Sequence, residues 1–352
     1  FPMMEFANAS EDAFKEFGTS MLAYDSTNGF LPLREIIANE RMQSVSVNTE
    51  ANLIQIINGS QQGIEYLGKL FIDEGDTVIC EGPTYLAALN AFNSFIANVV
   101  QVPMDEEGMK MDKLEDALKS NPDTKFIYTI PDFHNPSGRT MSLKRRKKII
   151  ELAEKYDVMI VEDNPYIEIR YYGEKLPAVK SFDKTGRVIY LGSFSKICAP
   201  GVRLGWINAS EELISQFNKI KQSSDLQPNT ITQRQLTKYM QNNNLDEKIQ
   251  EISSKYRVKM DAMKSAIERE FPEFAKCTDP HGGFFIWVTL PESIDTMDLF
   301  YKAVDAKVAF VPGAPHFSEK GNNNGMRLSC SSQSVENINE GIKRLGQLLK
   351  SL

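Results

Sequence analysis

The chain has 352 residues, 41% of them hydrophobic and 25% charged, with a formal net charge of −7. Those are the proportions of a soluble globular protein long enough for more than one lobe, and the acidic balance argues against a nucleic-acid surface over this part of the chain. No apolar run reaches transmembrane length, no signal peptide opens the chain, and Cys80, Cys198, Cys277 and Cys330 lie too far apart for a disulfide framework or zinc site, so a reducing cytoplasm is expected.

In chain order, LIQII (53–57), TVIC (77–80), ANVVQV (97–102), KFIYTI (125–130), VMIVE (158–162) and RVIYLG (187–192) read as strands. Each is short, rich in Val, Ile and Tyr, and nearly continuous in apolar character, as strands buried on both faces are. Helical patterns separate them: GIEYLGKLFIDEG (63–75), TYLAALNAF (84–92), MDKLEDALKS (111–120) and SLKRRKKIIELAEKY (142–156). The last carries the one dense basic run, Lys144, Arg145, Arg146, Lys147 and Lys148, which reads as the solvated start of an amphipathic helix. This alternation predicts an α/β domain with a mostly parallel sheet.

After about residue 210 the character changes. Long helical patterns cover 211–225, 230–241 and 244–271; GGFFIWVTL (282–290), KVAFVPG (307–313) and MRLSCS (326–331) read as strands; 334–352 reads as a last helix. A smaller α+β lobe is expected, joined to the first by a long helix. The chain opens on FPMMEF, which fits the ordered part of a longer protein.

In parallel α/β sheets, ligands bind beyond the carboxyl ends of the strands. Four segments stand there: NGSQQG (58–63), PDFHNPSG (131–138), Asp163 and SFSK (193–196). The GSQQG turn offers glycine flexibility and free helix-start N–H groups suited to an anion, although alone it reads first as helix capping. It lacks the ending of a P-loop, and no G-x-G-x-x-G follows the first strand. Lys196 follows a buried strand, where burial depresses an ammonium pKa and yields a nucleophile and base. Ser193, Ser195 and Arg203 surround it with phosphate-binding groups.

The segment SFSKICAPGVRLGW (193–206) resembles the cofactor-lysine signature of fold-type I pyridoxal-phosphate-dependent aminotransferases, class I/II. YDSTNGFLPLREIIA, NGSQQG, EGPTYL, PDFHNPSG, VEDNPY, GGFFIWVTLP, FVPGAPHF and GMRLSCS follow that family in order. The set is most similar to the branch with 2-aminoadipate, kynurenine and broad-specificity aminotransferases, whose domain also occurs fused to a DNA-binding head in MocR-type regulators. The resemblance implies a large domain (34–222) with a seven-stranded-type, mostly parallel sheet, a small domain (223–352), and a truncated N-terminal arm (1–33). It implies a homodimer with active sites at the interface, amino-acid and 2-oxo-acid substrates, and neither nucleic acid nor membrane as a partner.

The resemblance also implies residue roles. Lys196 carries pyridoxal 5'-phosphate as an imine and later moves a proton. Asp163 pairs with the pyridine nitrogen, Tyr85 stacks on the ring, and Asn135 and Tyr166 hold the ring hydroxyl oxygen. Ser60, Gln61, Ser193, Ser195 and Arg203 hold the phosphate, and Tyr24 reaches the phosphate of the partner subunit. Arg327 clamps the substrate α-carboxylate through two parallel hydrogen bonds, with Asn135 and Gly29 beside the substrate. Taken alone, these residues have plainer readings: a cap for Asp163, a turn for Asn135, core packing for Tyr85, a solvated face for Arg327. Cys198 departs from many relatives and reads as a small packing residue or a reactive thiol. Ping-pong transamination is expected; a lyase or racemase on the same scaffold, or a regulator's effector-sensing domain, are the competing readings.

Overall fold

The computed structural model describes residues 2–352. Eleven α-helices are described: α1 Met3–Phe17, α2 Leu31–Ile36, α3 Ser60–Phe71, α4 Leu86–Ser94, α5 Met111–Ser120, α6 Leu143–Tyr156, α7 Glu211–Ser224, α8 Thr230–Asn242, α9 Leu245–Glu270, α10 Thr296–Asp305 and α11 Val335–Lys350. The strands are β1 Ile54–Ile57, β2 Thr77–Gly82, β3 Asn98–Asp105, β4 Gly108–Met109, β5 Thr124–Thr129, β6 Met159–Asp163, β7 Val188–Ser193, β8 Gly205–Asn208, β9 Lys276–Cys277, β10 Phe285–Thr289, β11 Val311–Pro312 and β12 Gly325–Ser329.

The large sheet has the order β1-β8-β7-β6-β5-β2-β3-β4. Strands β7, β6, β5, β2 and β3 pair in parallel, while β8 runs antiparallel to both β7 and β1. The two-residue β4 adds an eighth strand to the seven expected. Both faces are covered, which explains the continuous apolar runs. Within β5, Phe126 and Tyr128 enter one core and Ile127 the other, as the two-residue period of a strand requires.

The second sheet is antiparallel, ordered β11-β12-β10-β9, and α9 packs along α11 beside it. Helix α1 lies along α8, with Ala9 and Ala13 buried. No described helix is long and apolar enough to cross a membrane.

Two expectations need correction. The stretch 307–313 pairs only at Val311 and Pro312. The basic run does begin α6 behind an Ser142 N-cap, but it is not all solvated. Arg146 is completely buried: it meets Asp132 at 2.8 Å and donates to the carbonyls of Met141 and Pro177, both at 3.0 Å. A buried guanidinium is tolerable only with such partners.

Candidate active site

The carboxyl ends of β1, β2, β5, β6 and β7 open on one cleft of about 150 Å³. It is lined by Ser60, Gln61, Tyr85, Asn135, Asp163, Tyr166, Ser193, Ser195, Lys196 and Arg203, with Ile130 and Pro165. Every residue expected to hold a cofactor is therefore in one place, Tyr24 excepted.

Each is set there by its local structure. Asp163 is the last residue of β6 and Ser193 the last of β7. Ser193 Oγ accepts from the backbone N–H of Ser195 at 3.1 Å, turning the chain toward Lys196. Ser60 and Gln61 begin α3 after Gly59, whose φ is 79°. Their amides belong to a helix start, which leaves them without intrahelical acceptors. The Gln61 side chain donates to Ala87 O at 3.1 Å, so its backbone is the part free for an anion. Arg203 lies across Gly59: a Cβ there would stand 2.6 Å from Nη2.

The electrostatics are those of a site built for a charged ring. The Asp163 carboxylate is buried, and its pKa is pushed up to about 6 by that burial, against the opposing effect of a hydrogen bond from Tyr128. The Tyr128 hydroxyl donates to Oδ2 at 2.7 Å, and Oδ1 is buried without a partner. A buried carboxylate oxygen so exposed to loss needs a donor, and a protonated ring nitrogen supplies one. The Lys196 ammonium is held below its usual pKa, first by burial and then by the Arg203 and Arg327 charges. The residues thus fit a phosphorylated pyridine aldehyde: an amine to attach it, a carboxylate for its nitrogen and a helix start with an arginine for its phosphate.

Arg327 on β12 comes from the second sheet to the mouth of this site. It donates to Asn135 Oδ1 at 2.8 Å, its Nε is buried without a partner, and its guanidinium lies 4.4 Å from the Phe285 ring centroid. No carboxylate of the chain is within ion-pair reach of it among the described residues.

Two expected residues are elsewhere. Tyr24 is 85% exposed on the surface of this single chain. Gly29 is buried at φ 99°, where a Cβ would collide with Ile56 and Gln233, so its visible task is close packing of β1 against α8. Cys198 is buried, and burial pushes its thiol up to about 12, the direction that favours packing over reactivity.

The sequence reading passed over Tyr128 and the buried Glu81–His134 pair behind it. Glu81 and His134 are both buried; Glu81 accepts from Ile130 N at 3.2 Å and lies 3.8 Å from His134 Nε2. Burial raises Glu81 to about 7 and lowers His134 to about 3, so the imidazole stays neutral at pH 7. His134 Nδ1 sits 2.8 Å from Ser137 Oγ, bracing the turn that presents Asn135. A buried strand tyrosine needs a hydrogen-bond partner, which was the available signal for Tyr128. Tyr128→Phe removes only that bond. It is expected to lower kcat/KM about tenfold without changing the circular dichroism; unchanged kinetics would mean that Asp163 holds its place unaided.

A family model described as aminotransferase class I and II matches residues 5–345. The chain belongs to that aminotransferase family.

Among similar proteins, aromatic-amino-acid aminotransferase 1 of Thermococcus litoralis is 44% identical over 99% of the chain and 85% of its own length. A solved structure of Pyrococcus horikoshii kynurenine aminotransferase with PMP matches all of the chain and 88% of its own, at a TM-score of 0.96 and 40% identity. The uncharacterized HTH-type regulator YdfD of Bacillus subtilis is more distant, 31% identical over 94% of the chain and 67% of its own length. The aminotransferase is therefore a pyridoxal-phosphate enzyme of fold type I, and the transferase reading stands over the regulator reading.

Proposed function

We propose that the aminotransferase moves the amino group of an aromatic amino acid to a 2-oxo acid in two half-reactions at this cleft. The observation that carries the site assignment is the coincidence of an unpaired lysine and an unpartnered buried carboxylate oxygen in one cleft. Bound pyridoxal phosphate supplies an aldehyde for the amine and a ring that withdraws electrons. Lys196 would attach it, and its amine, held below its usual pKa, would be placed to carry a proton at the substrate Cα. Asp163 would hold the ring nitrogen protonated, Tyr85 would cover the ring, Asn135 with Tyr166 would orient its hydroxyl oxygen, and Ser60, Gln61, Ser193, Ser195 and Arg203 would retain the phosphate. Arg327, already oriented by Asn135 and free of a carboxylate partner, grips the substrate carboxylate.

The aromatic donor is supported by the names of the two similar aminotransferases and by a second cavity, of about 860 Å³. It shares Ser195 and Lys196 with the cofactor cleft and is lined by Tyr239, Tyr256, Phe284 and Phe285. Glu251 and Lys255, also in its lining, pair with each other at 2.6 Å. A panel of amino donors with 2-oxoglutarate as acceptor tests this. The highest kcat/KM is expected with phenylalanine, tyrosine or kynurenine; a preference for aspartate or 2-aminoadipate would reject it. In the same panel Arg327→Lys, which loses the planar fork, is expected to raise KM for every donor about 10- to 100-fold while leaving cofactor binding in place.

The same reading makes the enzyme a cytoplasmic homodimer. Its support is the exposed apolar group of Leu22, Tyr24 and Leu31, together with four free cysteines. Sedimentation at twice the chain mass is the expected result, and a monomer at micromolar concentration would refute it.

A further inference from the structure

The turn Asn58–Gln62 is gripped from the side away from the cleft by the carboxyl end of α7. Lys221, fully buried, meets Asp225 Oδ1 at 2.8 Å and donates to Gln62 Oε1 at 3.0 Å. Asp225 Oδ2 accepts from Asn58 Nδ2 at 2.6 Å and from Gln62 Nε2 at 2.8 Å. Gln62 Oε1 also accepts from the backbone N–H of Asn58 at 2.9 Å. Both ends of the turn are thus tied to one ion pair by a closed circuit of hydrogen bonds. On the other side Arg203 reaches Asn58 O at 3.4 Å and lies over Gly59. A buried ammonium is costly unless fully partnered. Here, besides its own helix's Asp225, Lys221 donates only to the turn that presents the Ser60 and Gln61 amides.

We propose that Lys221 and Asp225 are positioning residues for the cofactor phosphate: they hold the Asn58–Gln62 turn in the shape that receives it. The proposal rests on the reading of that turn as the phosphate site. Neither residue lines the cleft, so both act through Gln62 and Asn58. With the circuit cut, the turn keeps its place in the chain but must be ordered by the ligand, and the cost falls on the phosphate.

The test compares two ligands that differ only in the phosphate. Apoenzyme is titrated with pyridoxal 5'-phosphate and with pyridoxal, and binding is followed by visible absorbance. Lys221→Met is expected to raise the Kd for pyridoxal phosphate about tenfold and that for pyridoxal less than about twofold. Asp225→Asn, which keeps the side chain's shape, is expected to show a smaller loss with the same selectivity, and it decides the matter if Lys221→Met fails to fold. Equal weakening of both ligands, or none, overturns the proposal. Arg203→Ala serves as the direct comparison. If it too fails to distinguish the ligands, the phosphate reading of the turn is wrong; if it distinguishes them and the α7 variants do not, the positioning role is wrong.

Discussion

Lys196→Ala is expected to abolish the visible absorbance of lysine-bound cofactor and to lower transamination at least about 10³-fold. Borohydride reduction should leave a covalent cofactor adduct on the native chain and none on the variant, as read by intact-mass measurement. The size of the effect follows from the two tasks that one amine performs. It is the attachment point, and it is the base placed where the substrate proton leaves. Both are favoured by an amine held below its usual pKa, and burial is the first cause of that, with the Arg203 and Arg327 charges adding to it. No other lysine lines the cofactor cleft. A variant that kept both the absorbance and the activity would reject the assignment of Lys196 and the site built around it.

Asp163→Asn should separate catalysis from stability by moving them in opposite directions. An amide cannot hold the ring nitrogen protonated, and losing one partner of a buried charge pair costs about 3–5 kcal/mol, so kcat/KM should fall about 10²- to 10⁴-fold. In the apoenzyme the sign reverses. Burial raises the Asp163 pKa from 3.8 to about 6, so the folded state binds a proton that the unfolded state has released. The stability tied to that proton is complete below pH 4 and is lost as pH rises through 6. Asparagine does not titrate. The apo variant should therefore melt above the apo native enzyme at pH 7 to 8, and the gap should close toward pH 4. Thermal melts of both apoproteins across that range check it. A native curve that stays parallel to the variant's would show that Asp163 does not titrate in that window.

The buried strands of the large sheet were legible because burial on both faces writes an almost unbroken apolar run, as in Ile54–Ile57 and Val188–Ser193. Helices α5 and α6 were legible from their period. Strand β8 was not, because Gly205–Asn208 lies at the end of the lysine motif and is too short to show alternation. Helices α1 and α10 were passed over although each carries an apolar face, Phe6, Ala9 and Ala13 on the first and Leu299, Phe300 and Ala303 on the second. The residues that line the cleft were singled out through the resemblance of their ordered motifs, since taken alone each had a plainer reading. Their supports were not. Tyr128 meets Asp163, and Lys221 meets Gln62, across distances in the chain that no local pattern records. Arg146 shows the same limit in reverse: its partners come from remote loops, so a charge run conceals a buried ion pair.

The buried Cys198 thiol gives the lysine segment a built-in clock. It stands two positions after Lys196 and is 4% exposed, whereas Cys277 on β9 is exposed. A thiol reagent should therefore label Cys277 before Cys198, whose labelling reports excursions that expose it. In the limit of rapid reclosing, the ratio of its labelling rate to that of a free thiol is the equilibrium constant for that excursion. Measured with and without cofactor, the ratio converts cofactor attachment into a local opening free energy at one sulfur, independent of turnover.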